Sequence, residues 1–254
     1  MSGLDFVLIG FAAVAAGGIN ALAGGGTLIT FPTLLAMGVP PITANVTNTV
    51  ALCPGFVGGI LGQLKDLVGQ RRRFWSFLGA SAAGGIIGSI LLLRTGERAF
   101  QALVPYLIFM ASCLMAIQGL IRSWLLRRSS MILESRSRSE ICALILIGLA
   151  AIYGGYFGVA MSVVVLFLLG LMINDSLTRL NAIKQTVAFG ANGAAAVIFV
   201  FSSRIEWLIA LVMAVGALVG GNLGGRLAGH IKPDTLRWTV VSIGLCLAVI
   251  YFLR

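Results

Sequence analysis

Charge is what this 254-residue sequence has least of: Asp, Glu, Lys and Arg make up 10% of it, where a soluble globular chain carries about a quarter. With 59% hydrophobic residues and a mean hydropathy of +1.02, the composition is that of an integral membrane protein. Carboxylates are scarcer still: the eight acids all fall at the ends of apolar runs or in loops. That disfavours a dedicated proton or sodium pathway, which usually relies on acids inside the bilayer, although carbonyls at a helix break can also hold sodium. Histidine occurs once, at His230, and Cys53, Cys113, Cys142 and Cys246 form no CxxC. A zinc site and a disulfide framework are excluded, and no metal or other cofactor is expected. The longest polar stretch, 122–140, is too short for a nucleotide-hydrolysing domain. No Lys or Arg precedes Lys65, so the first apolar run lacks the basic flank of a cleaved signal peptide and is expected to be retained.

What the sequence does have is long apolar runs, at 4–37, 43–64, 74–93, 99–121, 141–173, 178–201, 207–231 and 236–253. They are continuous rather than alternating, which predicts helices and excludes a β-barrel. The expected fold is all-α: a polytopic membrane protein of about eight transmembrane helices. The first and fifth runs exceed 30 residues, about 50 Å of helix against a hydrocarbon core of about 30 Å. Each is expected to tilt or break, the first at Gly24, Gly25 and Gly26, the fifth near Gly154, Gly155 and Gly158.

The two long runs open two halves that resemble each other. An offset of 136 places Asn45-Val46-Thr47-Asn48 on Asn181-Ala182-Ile183-Lys184; an offset of 132 places Trp75 on Trp207, Gly84 on Gly216, Gly88 on Gly220 and Arg94 on Arg226. The predicted organisation is a first four-helix repeat at 1–121, a basic cytoplasmic linker at 122–140 and a second four-helix repeat at 141–254, each with a broken first helix. The net charge of +10 resides in short loops, which reads as topology and contact with anionic headgroups rather than nucleic acid. With both basic loops, 65–73 and 122–140, in the cytoplasm and each broken run crossing once, both termini are expected inside.

The interior offers amides, hydroxyls and one ammonium. Asn45, Thr47, Asn48 and Thr49 crowd the start of the second run; Asn181, Lys184, Gln185 and Asn192 recur at helical spacing in the sixth. Small stripes and buried amides usually serve helix packing, and Lys184 lies near enough to a run end to snorkel. A lone cation among neutral donors nevertheless suits an anion. A helix restarting at Thr27 after Gly24, Gly25 and Gly26 would aim free N–H groups at the same place. These eleven residues (Gly24, Gly25, Gly26, Thr27, Asn45, Thr47, Asn48, Thr49, Asn181, Lys184 and Gln185) are expected to converge on one substrate cavity.

Taken together, the broken glycine-rich first run, the two Asn-centred segments and the basic linker resemble the TauE/SafE sulfite-exporter family over nearly the whole chain. The resemblance implies a secondary transporter that exports small sulfur-containing anions such as sulfite, sulfoacetate or other sulfonates from a bacterial cell across its plasma or inner membrane. Alternating access of two repeats is the expected mechanism. An anion channel is the alternative, and a non-transporting insertion factor a third class. An enzyme built on Ser162 or Ser176 with Lys184 lacks any interior His or carboxylate to support it. Expected partners are the small anion and the bilayer, with a homodimer left open.

Overall fold

The computed structural model describes residues 3–22, 25–128, 138–173, 175–202, 204–227 and 233–252. They form eleven helices: α1 Gly3–Leu22, α2 Thr27–Ala36, α3 Pro41–Gly62, α4 Leu64–Leu67, α5 Arg71–Arg94, α6 Glu97–Arg128, α7 Arg138–Tyr156, α8 Met161–Met172, α9 Leu177–Val200, α10 Trp207–Leu227 and α11 Pro233–Phe252. Five of them, α1, α3, α5, α6 and α9, are long and apolar enough to cross a membrane, and α7, α10 and α11 carry apolar stretches at 141–156, 207–221 and 241–252. The chain is a multi-pass membrane protein. Helix α6 continues to Arg128, past the expected start of the linker at 122.

Local signals fix the starts. Pro41 occupies the first position of α3, where its missing N–H costs nothing. Ser176 caps α9, accepting from the Arg179 N–H.

Helix directions follow from contacts. Asn181 near the start of α9 meets Gln63 just beyond the end of α3, so these two central helices are antiparallel. At the other end, Thr47 of α3 accepts a hydrogen bond from the Glu206 N–H, one residue before α10, and Glu97 at the start of α6 accepts from the Ile42 N–H. Helices α10 and α6 thus begin on the face where α3 begins, and α6 delivers the chain to the linker on the opposite face.

Helix α1 lies parallel to α10. A Cβ on Gly216 would meet the Gly10 carbonyl oxygen and the Ala13 side chain, and one on Gly220 would fall on the Val14 carbonyl oxygen. The crossing of α5 and α7 is built the same way: Gly84 faces the Gly148 carbonyl and Ala151, and Gly88 the Ile152 carbonyl. Backbone-to-backbone contact of this kind requires glycine and is the usual packing device where lipid removes any hydrophobic drive between helices.

These directions correct the expected topology. Helix α1 runs from the α3-start face toward the linker face, and the chain then turns back: Gly25 has φ +90°, and a Cβ on Gly26 would fall on the carbonyl oxygen of Ala16. Helix α2, only ten residues long and hence about 15 Å, returns to the face from which α1 came. The same occurs between α7 and α8, where Gly158 (φ +72°) and Ala160 (φ +57°) adopt left-handed conformations. Each long run is therefore a helix plus a returning half-helix, not one broken span. The start of α1 and the end of α11 consequently lie opposite the linker face, not with it.

The revised topology sharpens the charge asymmetry. Arg94, Arg98 and Arg204 flank the linker-free face; the remaining described Lys and Arg, apart from Lys184, belong to 65–73, to the helix ends flanking the linker, to the start of α9 and to the α10–α11 ends. That distribution obeys the positive-inside rule better than the expected arrangement does.

Two measurements check this architecture. In a cysteine-free background, Gly3→Cys and Gly96→Cys should be labelled by an impermeant maleimide from one side of sealed vesicles and Lys65→Cys from the other; co-labelling of Gly3→Cys with Lys65→Cys would restore the single-crossing scheme. Gly220→Val should lower stability by about 1–3 kcal/mol in micelles, since α1 and α10 must part. Gly221→Ala, whose added Cβ would meet nothing closer than 3.9 Å, should change little.

Candidate functional site

The two chain reversals face each other across the α3–α9 seam. Between them lies a cavity of about 10 Å³, lined by Thr27, Asn48, Thr49, Leu52, Phe56, Phe157, Gly158 and Asn192. It has room for about one water molecule. Phe31 of α2 stacks edge-on against Phe157 at 5.2 Å, so aromatic packing closes the space on the side of the linker-free face.

Each reversal exposes backbone polar groups that the apolar surroundings cannot hydrate, and specific side chains meet them. Asn20 Oδ1 accepts from the Gly26 N–H at 2.9 Å. Asn45 Nδ2 donates to the Tyr156 carbonyl at 2.8 Å, and the Tyr153 hydroxyl donates to the Val159 carbonyl at 2.6 Å. Asn20, Tyr153 and Tyr156 were absent from the sequence-based site. The available signal was their position beside the glycine clusters, where a reversal creates orphan backbone groups.

These bonds determine what the cavity offers. Besides Asn45 Nδ2, the Thr49 hydroxyl donates to the Asn45 carbonyl and Asn192 Nδ2 to the Ala188 carbonyl, both at 2.9 Å. Only the NH₂ end of an amide can donate to a carbonyl, so the orientations of Asn45 and Asn192 are fixed. The lone pairs that remain are on oxygen. Asn45 and Asn48 are each 1% exposed, and the Oδ1 atoms of both have no hydrogen-bond partner among the described residues.

The expected site residues are accordingly spread over two places. Thr27, Asn48 and Thr49 line the cavity, with Asn45 beside it and Gly25 and Gly26 in the turn that precedes Thr27. Gly24 lies outside the described residues. Thr47 is fully buried and turned toward α10. Asn181, Lys184 and Gln185 lie farther along α9: Asn181 donates to Gln63 at 3.1 Å, and Gln185 lies against Gly59 of α3. Lys184 is eight residues from the cavity's Asn192, about 12 Å along the helix. It is buried at 5% exposure rather than directed outward along the protein surface.

Near this second place, Asp175 joins Arg73 at 3.1 Å and Arg179 at 2.9 Å, and Arg179 also donates to the Val68 carbonyl. The network ties the start of α5 and the loop after α4 to the start of α9. On the opposite face Arg204 approaches Glu97 at 3.7 Å.

The sequence matches the profile of the family described as "Sulfite exporter TauE/SafE" over residues 9–251. The chain belongs to this family. It is similar to a "Probable membrane transporter protein" of Haemophilus influenzae, 27% identical over 218 residues that cover 85% of this chain and 83% of that one. A "Probable membrane transporter protein ORF9" of a Sinorhizobium species is 27% identical over 228 residues, 85% and 81% of the two chains. The Escherichia coli K12 "Probable membrane transporter protein YfcA" is 25% identical over 209 residues, 81% of this chain and 74% of that one. No solved structure matches. This membrane transporter of TauE/SafE type holds two reversals inside its own bundle, and Asn20 meets the Gly26 N–H released at the first. Asn20→Leu, which strands the Gly26 N–H, should cost about 1–3 kcal/mol in thermal or denaturant unfolding; an unchanged midpoint would show that the turn finds another acceptor.

Proposed function

We propose that this TauE/SafE protein exports a small sulfur-containing anion, such as sulfite, sulfoacetate or another organosulfonate, across a bacterial plasma or inner membrane. The observation that carries the proposal is Lys184, an ammonium held at 5% exposure within the bundle. A buried ammonium offers an arriving oxyanion a charge-assisted hydrogen bond in surroundings that screen it little. Asn181, about one helical turn before Lys184, and Gln185, next to it, carry amide donors, and the small Gly59 leaves α3 close to Gln185.

The two halves act in this reading as inverted repeats. Helices α3 and α9 are antiparallel, and the α1–α10 and α5–α7 crossings use matched glycines, an arrangement that suits alternating access by rocking of one half on the other. Closure of the space between the reversals to about 10 Å³ supports a carrier, since sulfite is larger than the one water such a space admits. The linker face is the cytoplasmic one, by the basic residues it gathers. An inside-negative potential then favours anion exit by about 2.3 kcal/mol per charge per 100 mV, which removes any need for a proton relay.

Proteoliposome flux of a strong-acid sulfonate tests the proposal, because its charge does not change near neutral pH. Lys184→Met keeps the apolar stem and should abolish most flux at normal expression and unchanged stability. Lys184→Arg retains charge but substitutes a planar fork for a compact head, and should alter selectivity among oxyanions. An imposed potential should accelerate exit from the negative side; wild-type flux in Lys184→Met would remove the lysine from the pathway.

A further inference from the structure

The cavity at the seam differs from the Lys184 region in that two buried amide oxygens, those of Asn45 and Asn48, find no donor among the described residues. Asn45 Nδ2 is committed to the Tyr156 carbonyl, the Thr49 hydroxyl to the Asn45 carbonyl, and Asn192 Nδ2 to the Ala188 carbonyl. Each of these residues keeps acceptor lone pairs on its oxygen, beside the one further N–H of each amide. Asn48, which lines the cavity, is 1% exposed and its Oδ1 has no partner among the described residues. Asn45 Oδ1, one helical turn away, is in the same condition.

We infer that this cavity is a binding site for a small alkali cation, sodium in preference to potassium, formed by neutral oxygens of Asn48, Thr49, Thr27 and Asn192. Hard monovalent cations take amide, hydroxyl and carbonyl oxygens as ligands, and broken helices inside membranes are where such oxygens collect. A buried acceptor without a donor is expensive, and a cation relieves several such acceptors at once. The volume of about 10 Å³ favours a small ion over a large one. The surrounding Leu52, Phe56 and Phe157 exclude competing water and strengthen the ion–dipole attraction.

The site has a structural consequence. Thr27 follows the first reversal, Gly158 lies within the second, and Asn48 and Asn192 belong to the antiparallel helices between them. A cation bound there draws oxygens of both halves together and stabilises the closed seam. The inference is independent of the anion assignment, since it concerns different residues and a different readout.

The test is the thermal unfolding of the purified full chain in detergent, in NaCl, KCl or choline chloride at equal ionic strength and without any sulfur anion. The wild-type midpoint should rise saturably with sodium, less with potassium and not with choline. Asn48→Leu, which removes the orphan oxygen, and Thr49→Val, which keeps the shape but not the hydroxyl, should each abolish most of the sodium response. Lys184→Met should retain it. Equal midpoints of the wild type in all three salts would overturn the inference and leave the cavity to a single water. A sodium response that survives in both Asn48→Leu and Thr49→Val would overturn this location. Should Asn48→Leu fail to fold, Thr49→Val together with the wild-type salt series decides.

Discussion

The constraint on which the rest of this structure depends is that a helix interrupted inside a bilayer must find partners for the backbone groups it releases. Water cannot supply them there, and each unsatisfied group costs several kcal/mol. The chain meets this cost twice, with Asn20 at the Gly26 N–H and with Asn45 and Tyr153 at the carbonyls of Tyr156 and Val159. The second case has a structural by-product. Asn45 belongs to α3, so the stability of the reversal in the second half is tied to a side chain from the first. The seam between halves is thereby held by polar bonds at its centre, with apolar packing on either side.

Meeting that constraint also shapes the chemistry. An amide has two donor positions and a carbonyl oxygen; committing its nitrogen to an orphan carbonyl turns the oxygen elsewhere. Asn45 and Asn192 both do this, and with Asn48 they leave the centre of the protein rich in acceptors. Lys184, by contrast, lies in the first half of α9, near the end stapled by Asp175 to Arg73 and Arg179. Those partly buried pairs contribute about 1 kcal/mol or less each, and with the Arg179 bond to the Val68 carbonyl they tie the basic loop 65–73 to the start of α9. A buried ammonium and a pair of amide oxygens without donors among the described residues thus occur at different depths of one helix pair.

Much of the architecture was legible in the sequence because membrane helices are written in composition. The apolar runs located the spans, and the glycine clusters located both interruptions, since only glycine-rich backbone turns readily there. The offset of 132 that matched Gly84 and Gly88 with Gly216 and Gly220 picked out four glycines whose Cβ atoms would strike a neighbouring backbone. Family membership followed from the same patterns.

Direction and pairing were not legible. A broken run and a returning half-helix have the same hydropathy; only the position of Gly26 beside Ala16 and the parallel course of α1 and α10 show that the chain turns back. The matched motifs placed Asn48 and Lys184 at the same turn of their helices, which suggested a single site. Because α3 and α9 are antiparallel, equal turns lie at opposite ends of the pair, and the residue that meets Asn48 across the cavity is Asn192. Sequence by itself determined which segments enter the membrane, where they are interrupted and which polar residues they carry, because those properties are local. Thr49 and Asn192 donate to carbonyls only four residues back. Where the Asn45 and Asn181 amides donate and which side chains share a cavity were decided by the tertiary structure, since each depends on a group or helix more than a hundred residues away in the chain.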